Sequence, residues 1–165
     1  MGFTAMWRPM APDDLTAVEV VGARVHPDHP EDDAVFQERL SLFPAGCLVL
    51  RDGPALIGYA ISHPGTLNQP PKLNTLLGAL PAHPDSFYIH DLALLPEARG
   101  TGAGAAAVAH LAGVARVGGF ATLSLVSVSG SAGFWHRLGF ATIDAMTGQV
   151  ASYGPSARYM VRRLS

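Results

Sequence analysis

Apolar positions along the chain switch between a period of two, which suits strands, and a period near 3.6, which suits helices, and each switch marks a new element. Residues 3–8 read as a strand, ended by Pro9 and Pro12. Asp13 and Asp14 then supply an N-cap and first-turn acids for a helix that carries Ala17, Val18 and Val21 and stops near Val25. The prolines of His26-Pro27-Asp28-His29-Pro30 make a loop, and residues 31–43 return to helical spacing through Val35, Phe36, Arg39, Leu40 and Phe43. Residues 47–51 and 55–62 are β-rich runs joined by Asp52-Gly53, a hairpin signal. Between residues 63 and 86 there are five prolines, yet Leu73, Leu76, Leu77 and Leu80 fall at i, i+3, i+4 and i+7, the spacing of one apolar face of a short helix. Residues 87–95 form the strongest strand pattern. It runs through Pro96 and a glycine-rich turn into a long helix with Val108, Leu111, Ala112 and Ala115 on one face, terminated by Gly118-Gly119. A strand at 121–128, a short helix at 131–138 ending at Gly139, and two weaker strands at 140–146 and 157–164 complete the order.

Length and composition narrow the classes of function. At 165 residues with 48% hydrophobic and 15% charged residues, the chain is expected to form one domain over 1–165 with a full core. Eleven Lys plus Arg against thirteen Asp plus Glu give −2, which removes the positive field a nucleic acid backbone needs. Lys72 is the sole lysine of the sequence, so a lysine-containing phosphate loop and Schiff-base chemistry are both disfavoured. Cys47, the single cysteine, sits in the apolar run Cys47-Leu48-Val49-Leu50, as in a reduced intracellular protein. The first ten residues lack a cationic leader and an apolar run, and no segment has the apolar length of a membrane span. The expected location is therefore cytoplasmic.

The sharpest chemical feature is a strand that ends in Arg99-Gly100-Thr101-Gly102-Ala103-Gly104 and opens a helix. Glycines lacking Cβ atoms let backbone N–H groups approach an anion at the positive end of a helix, and pyrophosphate is the natural guest. Arg99 adds a guanidinium suited to phosphate oxygens. The spacing Gly100, Gly102, Ala105 also meets a relaxed dinucleotide fingerprint. That fingerprint wants an acidic residue about twenty positions further on, and between Glu97 and Asp144 the chain has neither Asp nor Glu.

The order βααββ, strand, glycine turn, helix, strand, helix, two strands resembles the GNAT family of N-acetyltransferases over nearly the whole chain. Asp91-Leu92-Ala93-Leu94-Leu95-Pro96-Glu97-Ala98-Arg99-Gly100-Thr101-Gly102-Ala103-Gly104 looks like that family's pyrophosphate-binding segment, and Phe134-Trp135-His136-Arg137-Leu138-Gly139-Phe140 is similar to its fourth-helix ending. The resemblance implies an α/β fold, with a mixed and mostly antiparallel central sheet splayed between its fourth and fifth strands and flanked by helices. It also implies acetyl-CoA as co-substrate and no metal. Amides from Gly100 to Gly104 would take the pyrophosphate, and main-chain groups of Leu92, Ala93 and Leu94 would pair with the pantetheine arm. Ser131, Phe134 and Trp135 would complete the coenzyme site. The partners expected are acetyl-CoA and a small amine, with no nucleic acid and no membrane; a homodimer is left open.

Acetylating an alkylammonium of pKa about 10 requires a proton acceptor. Tyr88-Ile89-His90-Asp91-Leu92 resembles the matching strand of the arylalkylamine (serotonin) N-acetyltransferase branch, which carries a His-x-His pair, with His90 on the second histidine and Tyr88 replacing the first. His90 is the expected base or first member of a water relay, and Asp91 is a competing base or the anchor of a neighbouring loop. Strand alternation puts Tyr88 and His90 on one face and Asp91 on the other unless a bulge intervenes. Trp135 stands where many members have a tyrosine that protonates the departing thiolate, which an indole cannot do. Either another hydroxyl serves, with Tyr88, Ser129 and Ser131 as the candidates, or water protonates a thiolate whose free thiol has a pKa of about 8.5. The acidic loop of His26, His29, Glu31, Asp32 and Asp33 is read as solvated surface, not as a metal site. Leu73, Leu76, Leu77 and Leu80 either cover the sheet, the commoner fate of such a stripe, or cap the acceptor pocket; such a cap, together with Phe36, Phe43 and Tyr88, would favour an apolar or aromatic amine.

Overall fold

The computed structural model describes residues 5–165. Its strands are β1 (Met6–Pro9), β2 (Cys47–Asp52), β3 (Ala55–Gly65), β4 (Ser86–Leu94), β5 (Thr122–Ser127), β6 (Ala141–Thr142) and β7 (Arg158–Arg163). The helices are α1 (Leu15–Val25), α2 (Asp33–Leu42), α3 (Ala103–Val117) and α4 (Ala132–Arg137). The seven strands form one sheet in the order β1-β2-β3-β4-β5-β7-β6, antiparallel throughout except between β4 and β5. The start of the strand expected at 3–8 lies outside the described residues; its visible part is β1.

The sheet separates two apolar layers. On one side Val18, Val21, Phe36 and Leu40 of α1 and α2 pack on Val49, Tyr59, Ile61 and Ala93; on the other, Val108, Leu111, Ala112 and Ala115 of α3 pack on Ala60, Phe87, Ile89, Leu123 and Leu125. Phe36 and Phe43 belong to these layers, edge-on to Tyr59 and Phe87 respectively, and so do not line an acceptor site. Cys47 is buried and its thiol is pushed up to about 12 by burial, which leaves it inert.

Two expected elements fold differently. The leucine stripe at 73–80 is not helical: Asn74 and Gly78 adopt left-handed backbone conformations (φ 56° and 76°), and side chains elsewhere take the N–H groups a helix would need. Glu31 accepts from the Asn74 N–H at 3.0 Å, while Glu38 accepts from the Leu77 and Gly78 N–H groups at 2.6 and 2.9 Å. The segment is a strap fastened by carboxylates. The strand expected at 140–146 shrinks to Ala141–Thr142, and Asp144–Tyr153 winds into 3₁₀ turns that bury Val150 and Tyr153. Asp144, Gly148 and Gly154 favour turns over a ladder there.

Candidate active site

The register of β4 with its two neighbours creates the site. Pairing with β5 covers just Phe87–Ile89 against Leu123–Leu125, although β4 continues to Leu94 and β5 to Ser127. Beyond those pairs the strands part, and the β5-facing edge of β4 carries backbone groups without a strand partner. On its other edge β4 pairs with β3 through a bulge: Ile61 lies opposite Asp91 and Ser62 opposite Ile89, so His90 is the extra residue. The bulge resets the alternation. Tyr88 and Asp91, which simple alternation separates, both point toward the α1/α2 side, where Tyr88 meets His63 and Asp91 meets Tyr59.

A cavity of about 510 Å³ opens where the strands part. On one side it is lined by Leu92, Leu94, Arg99, Leu125, Val126, Ser129, Ser131, Phe134 and Trp135, and on the other by Val25, His26, His29, Glu31, Leu73, His90, Asp91 and Tyr153. Arg99, the first residue of the glycine-rich turn, lines the first of these walls, and Gly100 to Gly104 follow it. Gly100 and Gly102 have φ of 73° and 85°, Gly102 is the N-cap of α3, and nothing lies within 4 Å of the Cβ that either lacks. The turn is pinned from beneath: the Thr101 hydroxyl donates to Ala98 O, and the Trp7 indole donates to Ala103 O at 2.9 Å. The first-turn N–H groups of a helix have no intrahelical partner; the Ala103 N–H donates to Thr101 Oγ1 at 3.3 Å, and those of Gly102 and Gly104 are the donors suited to an anion. A side chain at Gly104 would strike Phe134, whose Cζ would lie 2.9 Å from the added Cβ.

Trp135 stands edge-on to Phe134 and Phe140, with ring centroids 4.9 and 5.4 Å away, and forms part of the cavity wall and part of the core. Ser129 lies between β5 and α4 with a left-handed φ of 54°, an unusual conformation for serine that sets it on the cavity wall. Tyr88 is not part of that wall: it is 3% exposed and faces a separate small cavity of about 90 Å³ beside His63. Its hydroxyl is pushed well above the ordinary tyrosine range by burial and by Tyr153. Ala93 is likewise buried, in the layer beneath α1, and its main chain lies opposite Tyr59 on the β3 edge, leaving Leu92 and Leu94 on the edge that faces the cavity.

The far end of the cavity holds two histidine–carboxylate pairs. His90 Nε2 lies 2.7 Å from Glu31 Oε1, with side chains 2% and 7% exposed, and its Nδ1 is buried without a partner. His26 Nε2 lies 2.8 Å from Asp91 Oδ1, and Asp91 Oδ2 also accepts from the Tyr59 hydroxyl. The loop read as solvated surface therefore folds onto the site, because His26, His29 and Glu31 each find a polar partner on another element. His29 Nε2 is 2.8 Å from Tyr153 O, and Glu31 bridges β4 to the strap. These were invisible in the sequence: His26 and Asp91 are 65 positions apart, and no local spacing marks the pairing.

Burial alone would raise the carboxyl of Asp91, but the charge and hydrogen bond of His26, with His90 and Tyr59, hold it below the usual range. Burial would lower His26, yet the Asp91 charge and hydrogen bond, with Glu31, outweigh it and hold the imidazole above its ordinary value. Glu31 is held low against burial by its hydrogen bond to His90 and the charge there. The raised imidazole stabilises the fold fully below its unfolded pKa of about 6.5 and loses that contribution as pH rises through its folded value. The depressed carboxyl stabilises fully above about 3.9 and loses its share as pH falls through its folded value. The Tm difference between the parent protein and His26→Gln is therefore expected to be largest near pH 5 and to narrow on both sides. A difference that widens above pH 7 would contradict the pairing.

The profile of the acetyltransferase (GNAT) family matches residues 7–140. No curated protein matches the chain. Among solved structures it is similar to the GphF GNAT-like decarboxylase in complex with isobutyryl-CoA, with a TM-score of 0.81 at 18% identity over 97% of this chain and 100% of that one. It is also similar to the loading GNATL domain of CurA from Lyngbya majuscula (0.79, 12%, 96% of each chain). A third is the NatC complex bound to Gag peptide and CoA (0.74, 16%, 99% of this chain and 100% of that one). At such identities these likenesses speak for the fold.

Proposed function

The chain belongs to the acetyltransferase (GNAT) family, and from that premise we propose that it moves the acetyl group of acetyl-CoA directly onto a primary amine, with a small aralkylamine as acceptor. The observation that carries this reading is the continuity of one cavity from the parted ends of β4 and β5, beside the glycine turn, to the two histidine–carboxylate pairs.

In this reading the amides of Gly100 to Gly104, with Thr101 bracing the turn and Arg99 at its edge, hold the diphosphate, as a helix N-terminus does. The edge of β4 that faces away from β3, at Leu92 and Leu94 on either side of Ala93, takes the pantetheine arm as an added strand, beside the Arg99 Nε that already donates to Leu94 O, with Ser131, Phe134 and Trp135 on the facing wall. A backbone N–H near Leu94 steadies the oxyanion as the thioester carbonyl becomes tetrahedral. His90 is the base: Glu31 occupies Nε2, and Nδ1 is the nitrogen left to accept a proton. Asp91 acts by orienting His26. Of the hydroxyls considered for the leaving thiolate, Ser129 and Ser131 share the cavity and Tyr88 does not. Val25, Leu73 and Tyr153 give the acceptor end an apolar rim around a polar centre, which suits an aromatic amine better than a polyamine.

Thiol release from acetyl-CoA, followed with 2-phenylethylamine, spermidine and a short peptide with a free N-terminus, tests the proposal. Turnover is expected to be about 10-fold or more higher with 2-phenylethylamine, the gain from burying a ring in an apolar rim. Preference for the peptide would move the acceptor to protein amino groups. Binding of acetyl-CoA with no turnover of any amine would leave a non-catalytic acyl-CoA sensor.

A further inference from the structure

We propose that His26, oriented by Asp91, is a second catalytic base, taking the first proton from the arriving ammonium ion while His90 takes the second during attack. The assignment rests on the amine-acetylation reading above.

The balance of the reaction motivates it. An alkylammonium must lose one proton to expose its lone pair and another once the C–N bond has formed. As that bond forms, the C–S bond breaks and its electron pair leaves on sulfur as a thiolate. The thiolate regains one proton, and the other passes to solvent. A site with one base must use it twice in each turnover. This cavity holds two imidazole–carboxylate pairs, each bridging the loop after α1 to β4: His90 of β4 with Glu31 of the loop, and His26 of the loop with Asp91 of β4.

Their positions divide the work. The His26 side chain is 18% exposed against 2% for His90, so His26 is the one placed to meet an amine from solvent and to return a proton there. Asp91 is fixed at both oxygens, by His26 Nε2 on one and by the buried Tyr59 hydroxyl on the other. A carboxylate locked in this way sets the tautomer: Nε2–H donates to Asp91 and the Nδ1 lone pair remains to receive a proton. The charged and titratable groups bearing on His26 are Asp91 of β4, with Tyr59 of β3 behind it, Glu31 from the loop before α2, and Arg99 from the turn after β4. The two carboxylates favour the imidazolium and Arg99 opposes it. The balance is a stronger base than free histidine, which narrows the gap to an ammonium of pKa about 10.

A merely structural His26–Asp91 pair would pin the loop after α1 and affect every acceptor alike. Two probes of matching size separate the cases: 2-phenylethylamine, an ammonium ion at neutral pH, and O-benzylhydroxylamine, whose nitrogen is already neutral because the adjoining oxygen lowers its basicity. In His26→Gln, kcat/KM is expected to fall about 100-fold with the first and to stay within about 3-fold of the parent with the second, while acetyl-CoA affinity is unchanged. His26→Ala is expected to recover activity toward 2-phenylethylamine when imidazole is added. Equal losses with both probes, or no loss with either, would overturn the assignment. A parent enzyme that turns over neither probe would instead defeat the aralkylamine reading, and this assignment with it.

Discussion

Gly102→Asp is expected to raise the dissociation constant for acetyl-CoA at least about 100-fold while leaving the fold in place. Gly102 has a left-handed φ of 85°, where a side chain costs about 1–2 kcal/mol, and Asp is among the residues that tolerate the region best. Nothing in the protein lies within 4 Å of the added Cβ, so no clash disturbs the core. The position is also the N-cap of α3, where an aspartate oxygen can accept from the first-turn N–H groups and offset part of the strain by about 1 kcal/mol. That same oxygen occupies the donors that the diphosphate needs and sets a negative charge against it. The substitution thus separates folding from binding. Gly102→Ala imposes the backbone strain without the charge and is expected to weaken binding by about 10-fold or less, in line with a left-handed-region cost of about 1–2 kcal/mol, so the further loss in Gly102→Asp reports the charge. Calorimetric titration with CoA reads both. Unchanged affinity in Gly102→Asp would place the diphosphate away from the turn.

The half of the site proposed to hold the coenzyme was legible because it is written in consecutive residues. The turn from Arg99 to Gly104 needs glycine at positive φ at Gly100 and Gly102, and that demand leaves a local mark. The acceptor half leaves none. His26 and Glu31 of one loop, Tyr59 of β3 and Asp91 of β4 come from three separate stretches, and what joins them is the depth of the cavity and the bulge at His90, which appears as a two-against-one register between β4 and β3. A β-bulge leaves no fixed spacing in the residues around it, so the alternation of 88–92 is compatible with one without locating it at His90. The strap at 73–80 misled in the opposite sense: its leucines keep helical spacing, yet only Leu73 reaches the cavity, because Glu31 and Glu38 take the backbone donors before a helix can. Periodicity reports which side chains are apolar, and a carboxylate reaching in from another element can overrule it.

His90→Ala is expected to lower kcat by about 10²–10⁴-fold, the range for loss of a positioned general base, with acetyl-CoA affinity unchanged. The alanine variant by itself would be ambiguous, because His90 also holds Glu31, which in turn holds Asn74 of the strap. Removing the imidazole leaves a carboxylate that is 7% exposed with one fewer donor, so its proton affinity should rise and the strap should loosen. His90→Gln divides these roles. A glutamine amide can still donate to Glu31 and keep the strap fastened, but it cannot accept a proton. If His90 is the base, the glutamine variant should retain the parent Tm within a few degrees and lose kcat as severely as alanine. If His90 only props Glu31, glutamine should restore both Tm and kcat. The neutral probe sharpens the comparison: O-benzylhydroxylamine still gains a proton to shed once its C–N bond forms, so His90→Gln should remain slow with it, whereas His26→Gln should not. Fast turnover of that probe by His90→Gln would show that the second proton leaves by another route and would take the base assignment away from β4.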